Sequence, residues 1–372
     1  LNLSEGPLLR VALFQLGNEQ PNRLLFVIHH IVIDGVSWRI LLEDVTTAYQ
    51  HLSRGEAIKL PPKTTSFKQW AQRVTEYAQS EALAAELDYW LIESRLNVAP
   101  LPVDFPSNTQ ANTVASSAEV SVSLSVEQTG ALLTEVPQAY QTQINDVLLT
   151  ALVQSFARWT GEPTLLIGLE GHGREEIFED IDISRTLGWF TSEFPVLLDI
   201  GAVSNREGEA LKSVKEQLRK IPNWGIGYGL LRYVNPETAQ RLQALPQAEV
   251  SFNYLGQVDQ MADRSSPSEK LISGLAQESM GAEQSPLNHR DYLLDVTGMI
   301  VEGKLTFDWI YSKNIHNAAT IEPVAHSFIE ALKALIVHCR SLDVQVYTPS
   351  DFPEIDFNQD ELDELLDDLD ED

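Results

Sequence analysis

Apolar positions in this chain alternate between two spacings. Leu24-Leu25-Phe26-Val27-Ile28 is a short continuous run, the pattern of a strand buried in a sheet. It leads into His29 and His30, a second apolar triplet (Ile31-Val32-Ile33) and the turn pair Asp34-Gly35. Past that pair, Ile40, Leu41, Leu42, Val45 and Tyr49 recur at helical spacing. Ser66 is placed to cap a second helix carrying Phe67, Trp70, Val74 and Tyr77, and Leu83, Leu87 and Trp90 mark a third. Residues 99–114 lose periodicity and fill with Pro, Ser and Asn, which reads as a semi-rigid connector. Beyond it the pattern predicts a strand around Val120, Val122 and Leu124 and a helix from Val126. An amphipathic helix carrying Val147, Leu148, Ala151, Leu152, Phe156 and Trp159 follows. Thr164-Leu165-Leu166-Ile167 opens a buried strand that ends at Glu170-Gly171, and further strands are expected at 194–198, 250–254, 293–300 and 305–311. Helices are expected at 207–220 and 319–341, and a long connection rich in Ser, Gly and Gln at 262–286. Strands and helices mix without regular alternation, so the fold class is α/β, an α+β layered sandwich.

Composition adds exclusions. The chain has 372 residues with 26 Lys and Arg against 54 Asp and Glu, a formal charge of −28. No nucleic acid and no anionic membrane is expected as a partner, because both need a basic face. Residues 351–372 hold twelve Asp or Glu and no Lys or Arg, so the acid is concentrated in a separate tail. One cysteine, Cys339, excludes an intrachain disulfide and any CxxC site, and its apolar setting marks it as a buried small hydrophobe. No run is apolar and long enough to span a membrane, and no secretory leader opens the chain. The start at Leu1, inside folded-looking sequence, reads as a piece of a longer, cytoplasmic protein.

The strongest local signal is His29-His30-Ile31-Val32-Ile33-Asp34-Gly35. Adjacent histidines on a strand point to opposite faces, so at most one faces a given cavity. Asp34 can fix an imidazole for proton transfer or orient the turn at Gly35 through backbone amides, and the second role is preferred. A metal is disfavoured, since opposed side chains cannot share one ion. The second signal is Glu170-Gly171-His172-Gly173-Arg174-Glu175. By itself it reads as a turn braced by a Glu170–Arg174 ion pair, with a tuned general acid or base as the alternative. A third, Phe252-Asn253-Tyr254-Leu255-Gly256, ends a strand with an amide and a phenol suited to stabilising an oxyanion. Asn253 and Tyr254 alternate, so only one faces a cavity unless a bulge intervenes. Phosphate-loop, kinase, Rossmann and nucleophile-elbow patterns are missing, which leaves proton-transfer chemistry.

Taken in order, residues 29–35 with their continuation 36–41, then 145–149, 170–175, 185–191, 225–229 and 252–256, resemble the epimerization domains of nonribosomal peptide synthetases. These are relatives of condensation domains and share the HHxxxDG signature. Residues 292–312 and 348–351 fit the same family. The resemblance implies two chloramphenicol-acetyltransferase-like lobes in a V with a tunnel between them. Residues 1–98 would form a partial N-terminal lobe, 99–114 the linker, 115–345 the C-terminal lobe and 346–372 the acidic tail. The stretch that the family carries before its HHxxxDG strand is missing, so the N-lobe is incomplete. The implied activity is that of an isomerase, L-to-D inversion at the Cα of the last residue of a peptidyl thioester. No cofactor is bound directly; the substrate arrives on the 4'-phosphopantetheine of an upstream peptidyl carrier domain. By resemblance His30 and Glu170 are the acid/base pair, with Tyr254 and Asn253 at the enolate oxygen. His29, Asp34, Gly35 and Arg174 would support them, Arg174 by setting the charge of Glu170. The competing readings are peptide-bond condensation and an inactive carrier-docking domain. In the tail, Leu362, Leu365, Leu366 and Leu369 fall at helical spacing, which suits docking to a basic segment of a downstream synthetase subunit or a plain solvated linker.

Overall fold

The structure is a computed structural model that describes residues 1–17, 19–106, 112–204, 206–257, 276, 278–342, 345–355 and 357–370, with the backbone alone for Ala202 and 366–370. Most of the expected 262–286 connection lies outside these residues. Near the start, β1 (Leu9–Phe14) pairs antiparallel with β2 (Arg23–Ile28). The strand stops one residue before His29, and residues 30–32 close a single 3-10 turn. The two histidines therefore do not alternate on a strand as expected. His29 caps the turn, its Nδ1 accepting from Ile31 N at 3.2 Å, and His30 begins it.

Asp34 ends the turn and caps α1 (Gly35–Ser53), its Oδ1 accepting from Ser37 N at 2.7 Å. Serine capping starts α2 (Phe67–Tyr77) with a complete Ser66–Gln69 capping box. The expected third helix is two single turns, α3 (Glu81–Ala84) and α4 (Leu87–Trp90). Leu83, Leu87 and Trp90 are buried in both, so their spacing did not reveal the break between them.

The remaining strands are β3 (Ser117–Ser123), β4 (Thr164–Gly171), β5 (Ser192–Asp199), β6 (Val250–Gln257), β7 (Leu294–Val301) and β8 (Lys304–Ser312). They form one six-stranded sheet in the order β3-β8-β7-β6-β4-β5. β4, β6 and β7 run parallel to one another, and the outer pairings are antiparallel. Helices α5 (Val126–Tyr140), α6 (Ile144–Thr160), α7 (Glu207–Arg219) and α10 (Ala318–Arg340) carry the apolar stripes that cover one face. Into that layer the strands send every second residue: Leu165, Ile167 and Leu169, then Phe194, Val196 and Leu198, then Val250 and Phe252. Phe307 meets Phe328 edge-on at 4.8 Å and Trp309 stacks on Phe156 at 5.9 Å.

Two short helices went unpredicted, α8 (Ile226–Gly229) and α9 (Pro236–Gln243). α11 (Gln359–Asp370) realises the helical spacing in the tail, with Leu362 buried and Leu365 exposed. Lys215, 1 % exposed on α7, reaches Tyr140 O at 2.9 Å and Asp351 at 2.7 Å, which ties the segment before α11 to the body. Strand β5 is an edge and carries Pro195, whose carbonyl accepts from Arg95 Nη1 at 3.1 Å. Among the described residues no helix is long and apolar enough to cross a membrane.

Candidate active site

The sheet face that the helices leave free is polar by strand alternation. Leu165, Ile167 and Leu169 point into the core, so Gly168 and Glu170 point the other way. On β6 the same rule sends Phe252 inward and Asn253 outward, and on β5 it sends Phe194 inward and Glu193 outward. Glu170 pairs across the strands with Glu193, and Asn253 Nδ2 donates to Glu170 Oε2 at 2.6 Å. A cavity of about 380 Å³ opens over this face, within the range of small-ligand sites. Its lining brings His30, Asp34, Gly35 and Trp38 from one end of the chain to Glu170, Trp189, Glu193 and Asn253. His30 lies edge-on to the Trp189 ring at 4.9 Å.

Burial raises the Glu170 carboxyl above the usual range, and the negative charges of Glu193 and Asp295 add to the effect. Its side chain opens onto the cavity, yet the protein around it displaces enough water to favour the neutral acid. Arg174 does not offset this. The expected Glu170–Arg174 pair is not formed, because Gly173, at φ +65°, turns the chain against Phe190 O and sends Arg174 elsewhere. Its guanidinium lies 4.0 Å from the Phe190 ring centroid and donates to Asp34 at 3.2 Å, to Ser37 Oγ at 3.0 Å and to the carbonyls of Ile183 and Thr186.

Asp34 is accordingly a joint. Besides Ser37 N and Arg174 it accepts from Phe190 N at 3.0 Å, and Ser37 Oγ bridges Gly188 N and O. Burial pushes its carboxyl upward, but the amides of Ser37 and Phe190 and the charge of Arg174 outweigh that and leave it below the ordinary value. The start of α1, which follows His30, is thereby fastened to the 174–190 segment that follows Glu170. Gly188 completes the fit, since a Cβ there would strike the rings of Phe67 and Phe190.

Of the residues singled out in sequence, His30, Asp34, Gly35, Glu170 and Asn253 line the cavity, while His29 caps its turn. Tyr254 is not among the lining residues; its half-buried ring packs against the helix-covered core, opposite Asn253. Glu193 and Trp38 were given no role of their own from sequence, and Trp189 lies in the Gly- and aromatic-rich stretch 185–191, which reads as groove-lining or as tight loop packing. The signal for Glu193 was present in the alternation of 194–198, but its partner depends on the β4–β5 register. Among the described residues no cluster of His, Cys, Asp or Glu could hold a metal ion.

A mixed α/β layer with a polar cavity floored by its sheet defines the class, and the chain belongs to the condensation-domain family, whose model matches residues 1–355. Among solved structures it is similar to the epimerization domain from the third module of tyrocidine synthetase B, with TM-score 0.81 and 39% identity over 91% of this chain and 74% of that one. It shares its fold with the X-domain from teicoplanin biosynthesis, at TM-score 0.65 and 20% identity over 92% of this chain and 76% of that one. Among curated proteins it is similar to one of the linear gramicidin synthase proteins of Brevibacillus parabrevis, at 50% identity over 98% of this chain and 5% of that protein. A chondramide synthase of Chondromyces crocatus is 46% identical over 99% of this chain and 9% of that protein. The chain thus spans less than a tenth of the length of either.

Proposed function

We propose that this domain inverts the Cα of the C-terminal residue of a peptidyl thioester, presented on the phosphopantetheine arm of a carrier domain, without a cofactor of its own. The observation that carries the reading is that His30 and Glu170, the latter bonded to an amide and not to Arg174, line one cavity from two distant segments joined at Asp34. Inversion needs a proton removed on one face of Cα and another supplied on the opposite face, hence two acid/base groups on one space. The His30 imidazole takes the Cα proton, and the electron pair of the broken C–H bond passes into an enolate with its charge on the thioester oxygen. The Glu170 acid then delivers a proton to the other face. A solvent proton exchange returns both groups to their starting state. Asn253 carries two amide N–H groups, one already on Glu170, and is better sited than Tyr254 to serve the enolate oxygen.

Peptide-bond condensation is the rival reading, favoured by the name of the matching family. It uses His30 and has no need of Glu170. Washout of Cα deuterium from a peptidyl-S-pantetheine in ordinary water separates the two. The epimerase exchanges the label and loses inversion in Glu170→Gln; undiminished inversion in that variant sinks the assignment. The peptidyl carrier as upstream partner, and the acidic tail as contact for a downstream synthetase subunit, belong to the same proposal. Removing residues 356–372 should abolish salt-sensitive binding of a basic downstream terminus while leaving exchange intact.

A further inference from the structure

Glu170 has a second carboxylate directly opposite it. Glu193 on β5 is its cross-strand partner on the same face, at a separation where like charges oppose each other. The other charged neighbours of this spot are engaged elsewhere or reach it from a different segment. Asp295 on β7 is ion-paired with Arg290 and accepts from Ser251 Oγ at 2.6 Å. Asp34 is held by Arg174. His30 lines the same cavity from the 30–32 turn. Among the described residues the partners of the two glutamates are uncharged: Asn253 for Glu170 and the Tyr292 hydroxyl, which donates to Glu193.

The Tyr292 contact is built into the sheet. Gly168 lies two residues before Glu170 on the same face, and a Cβ there would collide with the ring and hydroxyl of Tyr292. The missing side chain admits the ring, and the ring carries the hydroxyl to Glu193. Burial, the bond to Glu193 and the nearby Asp295 and Asp291 raise the phenol well above its ordinary value, so it stays a donor.

We propose that Glu193 and Tyr292 are positioning residues for Glu170: the Tyr292 hydroxyl holds the Glu193 side chain directly across the strands from Glu170, and that placement favours Glu170 as the proton donor. Two facing carboxylates resist ionising together. The inference rests on the epimerase reading for its chemical meaning: the resting domain then holds His30 as base and Glu170 as acid. It also makes a prediction free of that reading.

The test is carbon-13 carboxyl titration of glutamate-labelled protein, with Glu170→Gln identifying the Glu170 resonance, run beside the pH profile of inversion. In Glu193→Gln the Glu170 resonance should titrate at lower pH than in wild type, and the alkaline limb of inversion should move down with it. Tyr292→Phe, which keeps the ring, should lower inversion several-fold and shift the same resonance by less. A Glu170 resonance whose midpoint is unchanged in a folded Glu193→Gln protein overturns the proposal. If that midpoint moves but wild type releases no deuterium, the inference stands and the epimerase reading falls.

Discussion

Phe252 and Asn253 are neighbours on β6 and face opposite sides of the same sheet. Phe252 is fully buried against the rings and aliphatic chains of the helix-covered core. Asn253 reaches across to Glu170 at the floor of an open cavity. The helix-covered face gains its stability from apolar area removed from water, while on the open face Glu170 and Glu193 have uncharged partners and Glu170 is held in a disfavoured state. Two functions are thus carried by alternate residues of each strand, and substitutions should separate them.

The largest separation is expected from Glu170→Gln. Inversion should fall about a hundred- to ten-thousand-fold, the usual worth of a placed acid or base. Its stability effect should have the opposite sign. A carboxyl raised in the folded state stabilises the fold fully below its unfolded value and loses that contribution as pH rises through the folded value. The variant should therefore melt at or above wild type on the alkaline side of that window; a lower melting temperature there would contradict the electrostatics assigned to this face. Phe252→Ala should do the reverse, costing about 3–5 kcal/mol in urea unfolding while the folded fraction keeps its washout rate.

Arg174→Met asks whether the Asp34 joint serves both faces. It leaves a buried carboxylate without its cation, a loss of about 3 kcal/mol, and should also slow washout because the joint sets the cavity. Asp34 has the mirrored pH dependence. Its lowered carboxyl contributes stability above the unfolded value, and that contribution fades as pH falls through the folded one. Acid melts of wild type should show this loss, and Asp34→Asn should lack it. Smallest of all, Ser66→Ala removes one helix cap for about 1 kcal/mol and should leave washout of the folded protein untouched; a change in washout would mean that α2 helps set the cavity.

Much of this division was legible in the order of residues alone. The apolar pattern located the strands of the large sheet, β3 by the alternation of Val120 and Val122 and β4 by the continuous run 165–167. A capping serine, Ser66, located α2. What stayed hidden depends on partners far along the chain. β1 has Leu9, Val11 and Leu13 in alternation but lies exposed, so no core marks it. Arg174 was assigned to the nearest carboxylate in sequence, whereas Gly173 turns it toward Asp34, 140 residues away. Glu193 gains meaning only from the β4–β5 register, and Tyr292 only from the gap at Gly168.

Pro195 has a consequence for how the protein behaves in a crowded solution. An edge strand offers a row of free amides and carbonyls on which another chain can add a strand and begin to aggregate. Midway along β5 that row is interrupted, since proline has no N–H to offer and its carbonyl is occupied by Arg95. With Glu193 two residues earlier placing a charge on the same margin, the strand beside Glu170 is a poor template. Pro195→Val should be folded and more prone to fibrillar precipitation on concentration, which places resistance to misassembly in the strand that also faces the candidate acid.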